Sequence, residues 1–290
     1  MTAIDPARWR TVDDVVARYV ERRPELADRW LLVQTLATAT SRRAVLSSLG
    51  VRPGWRVLDV GTGFGPGVHE LAGAAGARVV GTDLDLGKLA AAEDIRRELA
   101  AAGWPPGPGA GAFVGGDVHA LPYGDAAFDA AVVRFLYEYL PDPDAATAEL
   151  ARVVRPGGLA CVMDVDDGLS LACPPESMVL ERLRAAFTEM QESAGGDRRI
   201  GRRLAGILDA GGFEITAVLV VPQASYGPSS PDDPGRRFLV ERFATAREQV
   251  VGGGFLDGEE FDELLEALRA EEIPAQTLIE AHVAVVGRRR

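Results

Sequence analysis

From residue 55 onward, short runs of apolar and β-branched residues alternate with segments whose apolar positions recur at helical spacing. The apolar runs predict strands at 55–60, 77–82, 112–115, 128–134 and 158–164. The helical segments between them lie at 66–75, 86–101 and 143–154. Such alternation is typical of βαβ units, so the pattern predicts an α/β fold with a parallel sheet and helices on both faces.

Helical patterns also occupy both flanks of this alternating region. Residues 9–49 carry apolar side chains at helical spacing and predict helices before the first strand. Beyond the fifth strand, the pattern predicts further strands at 213–221 and 277–286, and helices at 175–193, 198–210, 232–249 and 258–271. The sheet is therefore expected to gain two strands from the C-terminal part of the chain.

Composition and charge narrow the classes of partner. The 290 residues carry a formal net charge of −12, which disfavours a nucleic-acid partner because such binding rests on a basic face. Cys161 and Cys173 are too few for a disulfide framework. The sequence has neither a signal-peptide pattern nor an apolar run of about 18 residues, which predicts a cytoplasmic protein without a membrane span.

A glycine-rich turn follows the first predicted strand. The pattern D-x-G-x-G-x-G covers Asp59–Gly65, and glycines at this spacing allow positive φ angles and a close approach of a ligand to the backbone. The dinucleotide fingerprint G-x-G-x-x-G is excluded, because Pro66 stands at its third glycine position. The turn therefore predicts a nucleotide site of another kind.

Charged residues end the next three strands. Asp83 lies 22 residues beyond Gly61, where a carboxylate can accept hydrogen bonds from a ribose diol. Asp117 and the following backbone N–H could contact an adenine edge, and Arg134 could bind a ligand carboxylate through two N–H groups. Three acidic groups with few phosphate-binding cations indicate a positively charged ligand that has no phosphate.

Segment 55–164 resembles the class I S-adenosylmethionine-dependent methyltransferases of the small-molecule type. The resemblance lies in Val57–Gly65, Val79–Asp83, Gly116–Tyr123 with Phe128-Asp129, Leu140–Pro143 and Leu150–Gly158, which follow the family's motifs in order. It implies a doubly wound seven-stranded sheet of order 3-2-1-4-5-7-6 with the last strand antiparallel. It also implies a helical cap over 1–50 and a Rossmann-like domain over 51–290, with a helical insertion at about 222–272.

The same resemblance implies S-adenosylmethionine as the cofactor and a set of residues that bind it. The methionine portion would lie against Asp59 and the glycine turn, the ribose against Asp83, and the adenine against Asp117 and Val118. The full predicted cofactor set is Asp59, Gly61, Thr62, Gly63, Gly65, Asp83, Leu84, Asp117, Val118 and Arg134. No metal site is predicted, although a divalent ion at Asp164, Asp166 and Asp167 is an alternative to a solvated acidic loop.

The region after the fourth strand departs from the family in two ways. It lacks an Asn/Asp-Pro-Pro-Tyr/Phe motif, which favours O- or C-methylation over N-methylation. Many small-molecule relatives have a histidine just before the Leu-Pro pair, and Tyr139 stands there. Tyr139 and Glu138 are the candidate catalytic residues; the alternative is that Tyr137 and Tyr139 only shape a pocket.

The predicted acceptor pocket lies beneath the N-terminal helices. Its candidate lining residues are Tyr19, Trp30, Gln34, Tyr139 and Asp164, with core packing as the alternative for the aromatic ones.

The predicted function is methyl transfer to a small molecule in secondary metabolism, by a chain that could form a homodimer. The missing histidine leaves open an alternative, in which an enzyme of this fold binds the cofactor but catalyses a rearrangement, cyclisation or decarboxylation.

Overall fold

The computed structural model describes residues 6–104, 111–230 and 234–290. Residues 1–5 of the predicted helical cap and residues 231–233 of the predicted insertion lie outside this part of the chain. None of the helices in the described ranges combines the length and the apolar character that crossing a bilayer requires.

One mixed sheet forms the centre of the molecule. Its strands are β1 Arg56–Val60, β2 Arg78–Asp83, β3 Ala112–Gly115, β4 Phe128–Arg134, β5 Val154–Val165, β6 Leu171–Cys173, β7 Phe213–Ser229 and β8 Ile273–Arg289. Strands β3, β2, β1, β4 and β5 are adjacent in that order and parallel. β8 is antiparallel to β5, and β7 pairs with β8 along its other side. The predicted α/β fold with an antiparallel last strand is confirmed.

The prediction of seven strands was wrong by one. The additional strand β6 has three residues and pairs with residues 277–279 of β8, beyond the part of β8 that pairs with β5. When β6 is left out of the count, the order is the predicted 3-2-1-4-5-7-6. β6 escaped prediction because three residues are too few to show an alternating pattern.

Ten α-helices surround the sheet in the described ranges. They are α1 Pro6–Glu21, α2 Trp30–Ala37, α3 Ala39–Ser48, α4 Pro66–Ala75, α5 Leu86–Ala101, α6 Pro143–Val153, α7 Met178–Ser193, α8 Leu204–Ala210, α9 Pro234–Gly252 and α10 Gly258–Ala270. Residues 222–229, predicted to begin a helical insertion, instead continue β7. α9 and α10 follow between β7 and β8.

Strand β4 explains why helices cover both faces. Ala131 and Val133 belong to one hydrophobic cluster with α6 and α8, whereas Ala130 and Val132 belong to another with α3 and α4. Because successive side chains of a strand point to opposite faces, a strand buried on both sides has a continuous apolar sequence. The two cores hold the carboxyl ends of β1 to β5 at one edge of the sheet.

Two smaller clusters hold the outer helices. α1 and α2 pack on α5 through residues that include Tyr19, Leu32 and Ile95. α7, α9 and α10 pack together through residues that include Phe187, Phe243 and Phe261. α2 also contacts α9, where Arg29 forms an ion pair with Glu241 at 2.9 Å. The N-terminal helices and the helices inserted before β8 therefore meet above the sheet edge.

Candidate active site

The glycine turn is bonded to the end of the neighbouring strand. The backbone N–H groups of Gly61 and Thr62 both donate to the carbonyl of Thr82, at 2.8 and 3.0 Å. Gly61, Gly63 and Gly65 have φ angles of 67°, 51° and 76°. These left-handed values favour glycine, so the spacing in the sequence follows directly from the geometry of the turn.

Gly63 differs from its neighbours in the space beside it. A Cβ built on Gly63 would meet no atom within 4 Å, whereas one on Gly65 would lie 2.7 Å from the Phe113 ring. Gly65 therefore needs to be glycine for packing and for its φ angle. The backbone at Gly63 is open, and a ligand can approach it closely.

Asp59 lies beneath the turn and is only 6% exposed. Its carboxylate accepts a hydrogen bond of 2.7 Å from the Thr62 hydroxyl. Burial raises the pKa of Asp59 to about 6, although that hydrogen bond and the charge of Arg134 act in the opposite direction. A cation bound beside this carboxylate would favour its ionised form.

Asp83 links the second strand to the turn. One carboxylate oxygen accepts a 2.7 Å hydrogen bond from the N–H of Gly63, and the other accepts one of 2.9 Å from the N–H of Asp85. A carboxylate has about four lone-pair positions, so two remain for a ligand. Beside it, the Leu84 side chain is 76% exposed and offers an uncovered apolar surface.

Asp117 lies beyond the third strand, at the same edge of the sheet. The parallel register pairs Asp83 with Gly115, two residues before Asp117. One Asp117 oxygen accepts from the N–H of His119 at 2.9 Å and lies 3.0 Å from its Nδ1, and these hydrogen bonds lower the pKa of Asp117. The second oxygen remains available, while Val118 is 8% exposed and packs in the core.

Arg134 extends from the end of β4 under the N-terminal helices. Its Nη1 donates to the Thr38 hydroxyl at 3.1 Å, and its guanidinium stacks over Phe135 at 4.6 Å. Burial and the charge of Arg42 together lower the pKa of Arg134 to about 9. Within the described ranges, Arg134 forms no ion pair with a carboxylate.

The groups along this edge fit the predicted cofactor. The edge offers open backbone beside Gly63, three acidic side chains, and an arginine without an ion-pair partner. The acidic side chains suit a ligand with hydroxyls and cationic groups, and the arginine suits a carboxylate on the same ligand. The individual cofactor contacts stay predictions.

A cavity of about 250 Å³ lies between α2, α7 and α9, and Tyr139, in the segment that follows β4, is part of its wall. Trp30 and Tyr139, two of the predicted acceptor-pocket residues, line it together with Phe187 and Arg242. Asp28 also lines it and forms a 2.7 Å ion pair with Lys88, which lies in the first turn of the helix that follows Asp83. The cavity wall is thus joined to the predicted ribose end of the site.

Tyr139 is 41% exposed, and it lines the cavity. Desolvation of its hydroxyl by burial and the charge of Glu138 raise the pKa of Tyr139. A tyrosine with a raised pKa keeps its proton at neutral pH, so its hydroxyl can donate a hydrogen bond but is poorly suited to act as a base.

Three predicted site residues face the protein interior and not the cavity. Glu138 is 1% exposed and forms an ion pair with Arg198. Asp164 is 0% exposed and accepts hydrogen bonds from the N–H groups of Leu136, Glu138 and Val165. Tyr19 is 1% exposed and packs between α1 and α5.

The structure places these three side chains outside the wall of this cavity, and their catalytic or acceptor-binding roles stay predictions. Glu138 and Asp164 hold the turn after β4, because a buried carboxylate needs charged or N–H partners and finds them there. Burial and the nearby Glu138 raise the pKa of Asp164 well above its usual value. Tyr19 follows the core-packing alternative. Gln34 is partly exposed on α2 but does not line the cavity.

The acidic loop after β5 is neutralised by arginines. Arg202 forms an ion pair of 2.6 Å with Asp166, and Arg198 forms one of 2.8 Å with Asp167. In the part of the chain that the structure describes, no group of three or more His, Cys, Asp or Glu side chains is arranged to hold a metal ion.

One cavity residue and one strained residue just after β4 gave no usable signal in the sequence. Arg242 is one of many arginines on predicted helices, and nothing in its spacing marks it as a cavity residue. Phe135 has a φ of 54°, which is strained for an aromatic residue, and its ring lies 4.7 Å from that of His282. Such strain is common at functional sites, but a sequence does not show which residues are strained.

Comparison with known proteins agrees with this geometry. Residues 58–162 match a family described as a methyltransferase domain. The demethylmenaquinone methyltransferase of Beutenbergia cavernae is 37% identical over 123 residues, which cover 42% of this chain and 46% of that protein. An uncharacterised 37.1 kDa protein in transposon TN4556 of Streptomyces fradiae is 30% identical over 224 residues, covering 76% of this chain and 56% of that protein.

The chain thus spans about half the length of the curated relatives it matches. Among solved structures, the YcgJ protein of Bacillus subtilis has a TM-score of 0.56 and 18% identity, covering 87% of this chain and 99% of that one. This likeness concerns the fold alone. The motifs, the sheet order and the matching family model together identify residues 58–162 as a methyltransferase domain of the class I, S-adenosylmethionine-dependent type.

Proposed function

We propose that the whole protein transfers a methyl group from S-adenosylmethionine to a small molecule in a biosynthetic pathway of secondary metabolism. The observation that supports this most strongly is the meeting of the glycine turn, Asp83 and Asp117 at one edge of the sheet. Relatives named demethylmenaquinone methyltransferases support a small-molecule acceptor. The net charge of −12 supports the same class over a nucleic acid.

In this proposal each cofactor group has a partner in the chain. Asp59 and the backbone of Gly63 hold the cationic methionine portion, and Arg134 pairs with its carboxylate. The unused lone pairs of Asp83 accept from the ribose hydroxyls. Asp117 and the N–H of Val118 contact the adenine, which lies against Leu84. The remaining predicted contacts, Gly61, Thr62 and Gly65, shape the turn around these groups.

When bound, S-adenosylmethionine supplies a methyl group on a positively charged sulfur. The chain's own contribution is alignment, which in well-oriented reactions is worth roughly 7–11 kcal/mol. The cavity lined by Trp30 and Tyr139 would hold the acceptor and exclude water. Neither Tyr139, which keeps its proton, nor Glu138, which is paired with Arg198, is suited to remove a proton. An oxygen or carbon acceptor that arrives ionised fits this site best.

Cofactor binding tests the first half of the proposal. Calorimetric titration should detect S-adenosylmethionine binding, and Asp83→Ala should weaken it by roughly tenfold or more, because two ribose hydrogen bonds to a charged acceptor are lost. Asp85→Ala is the matched control: Asp85 caps α5 through Gly87 and Lys88. Its loss should cost about 1 kcal/mol of stability and leave affinity unchanged.

Transfer itself needs a second measurement. The protein is incubated with methyl-labelled cofactor and a panel of small aromatic and enolic acceptors, and labelled product is sought. Label that leaves the cofactor supports methyl transfer. Product formed while the label stays on the cofactor would support the rearrangement, cyclisation or decarboxylation alternative, and an absence of cofactor binding would contradict both.

A further inference from the structure

The cavity between α2, α7 and α9 collects polar groups that lack partners. Among the described residues, seven buried side-chain atoms have no hydrogen-bond partner, and four of them belong to cavity residues: Trp30 Nε1, Gln191 Nε2, Gln191 Oε1 and Arg242 Nε. Buried polar groups are satisfied in the great majority of native structures. Their concentration around one cavity indicates that a polar ligand group completes this site.

Arg242 is the only cationic side chain among the described residues that line the cavity. Its guanidinium lies 4.4 Å from the Phe187 ring centroid and 5.5 Å from that of Trp30. It forms no ion pair with any carboxylate in the described ranges. Burial and the charge of Arg198 both lower its pKa, so an anion in the cavity would relieve a real electrostatic cost.

The other charges nearby are already paired. Asp28 lines the cavity but is bound to Lys88 at 2.7 Å. Glu241, which precedes Arg242 on α9, is bound to Arg29. Glu138 and Asp167 are bound to Arg198. Glu138 and Asp167 act on Arg242 only through their charge, which raises its pKa, because both bond directly to Arg198. An anion in the cavity would give Arg242 a direct partner.

The remaining lining indicates the rest of the ligand. Trp30, Tyr139 and Phe187 contribute aromatic surface, and Met190 contributes a flexible apolar side chain. Aromatic walls with a few placed polar groups are typical of sites for apolar small molecules. A volume of about 250 Å³ suits a compact ligand of one or two rings.

We propose that this cavity binds a planar, largely apolar acceptor that has one anionic oxygen group, a carboxylate or a phenolate, and that Arg242 binds that group. Trp30 Nε1 and the Gln191 amide supply further hydrogen bonds after small side-chain rotations. The inference rests on the proposed function, since it identifies the chemical class of the acceptor. Arg242 acts in recognition, by binding an acceptor group that need not be the atom that is methylated.

Matched probes of different charge test the proposal directly. Binding of 2-naphthoate and of naphthalene-2-carboxamide is measured by calorimetry on the full chain, with S-adenosylhomocysteine present. The two probes share shape, so their difference reports the anionic group. We expect 2-naphthoate to bind at least tenfold more tightly than the carboxamide. A third arm with 2-naphthol distinguishes a phenolate, because its ionisation on binding is visible in the absorption spectrum.

Variants then assign the preference to one residue. Arg242→Gln should weaken 2-naphthoate binding at least tenfold and leave carboxamide binding within twofold, and Arg242→Lys should retain part of the preference. Arg247→Gln is the control: Arg247 lies on the same helix and is exposed, and its partner is Asp262 at 2.7 Å. This variant should bind both probes as the unmodified protein does.

The outcomes separate the inference from the proposed function. Equal binding of both probes, no binding of either, or an Arg242→Gln variant that loses both equally would overturn the inference while cofactor binding stays intact. A protein that binds neither S-adenosylmethionine nor S-adenosylhomocysteine would instead overturn the proposed function. Thermal unfolding shows whether each variant is folded. If Arg242→Gln is unfolded, Arg242→Lys provides the test, because it should retain part of the preference for 2-naphthoate.

Discussion

Arg42 donates two hydrogen bonds to the carboxylate of Glu70, each 2.7 Å long, in a contact where both side chains are almost fully buried. Glu70 also accepts from Nε of Arg43 at 2.8 Å. The contact joins α3, which precedes the sheet, to α4, which follows the glycine turn. The position of the N-terminal helices over the sheet edge therefore depends on a buried ion pair close to the cofactor turn.

Replacing one member of this pair should be costly. Glu70→Gln leaves the buried charge of Arg42 without a carboxylate, and such losses cost about 3–5 kcal/mol. Asp13→Asn is the control, because Asp13 pairs with Arg43 at a partly exposed site, where about 1 kcal/mol or less is expected. Urea unfolding measures the free energy of unfolding of both variants. A Glu70→Gln variant as stable as Asp13→Asn would contradict a structural role for the pair.

Cofactor affinity should depend on pH through Asp59. Its pKa, raised to about 6 by burial, means that the carboxyl group is largely protonated below pH 6 and ionised above it. The affinity for a cationic cofactor should therefore fall about tenfold for each pH unit below 6 and stay constant above pH 6. Calorimetry between pH 5 and 7 measures this, and Asp59→Asn should give weak binding without a slope. A flat profile for the unmodified protein would count against Asp59 as a cofactor contact.

Acid should destabilise the fold through His69. Burial lowers the pKa of His69 to about 4, below the value of about 6.5 in an unfolded chain. Between these values the unfolded chain binds a proton that the folded chain does not, so the free energy of unfolding falls as the pH falls. Between pH 6.5 and 5 the free energy of unfolding should fall by about 1.6 kcal/mol more than that of His69→Met. Urea unfolding at both pH values tests it; parallel losses in the two proteins would refute it.

Local sequence was sufficient for most of the sheet. The predicted bounds of β3, β4, α4 and α5 agree with the structure, because each strand there is a short apolar run that ends at glycine or a charged residue. β7 was predicted to end at Val221 but continues through Pro222 to Ser229. In the structure β7 pairs only with β8 among the described strands, and an edge strand tolerates a proline, whose missing N–H can face the open side.

The site was less predictable than the sheet, because a position at a strand end does not determine where a side chain points. The position of Asp59, Asp83 and Asp117 at one edge of the sheet follows from the predicted strands alone, while their contacts with the cofactor stay predictions. Asp164 also ends a strand, yet it is turned inward to accept N–H groups of the turn after β4. The cavity depends on contacts between α2 and α9, more than 200 residues apart in the sequence, and no local pattern reports such contacts.

The role of Tyr139 can be decided by two substitutions. Its hydroxyl has a raised pKa and its ring lines the cavity, so we expect the ring to bind the acceptor and the hydroxyl to contribute little. Tyr139→Phe should keep kcat within about threefold, because a general base would contribute roughly 10²–10⁴-fold. Tyr139→Ala should raise KM by about tenfold through the lost aromatic contact. Steady-state assays with an acceptor found in the labelling panel measure both. A hundredfold fall in kcat for Tyr139→Phe at constant KM would instead make the hydroxyl catalytic, since only an interaction specific to the transition state changes kcat alone.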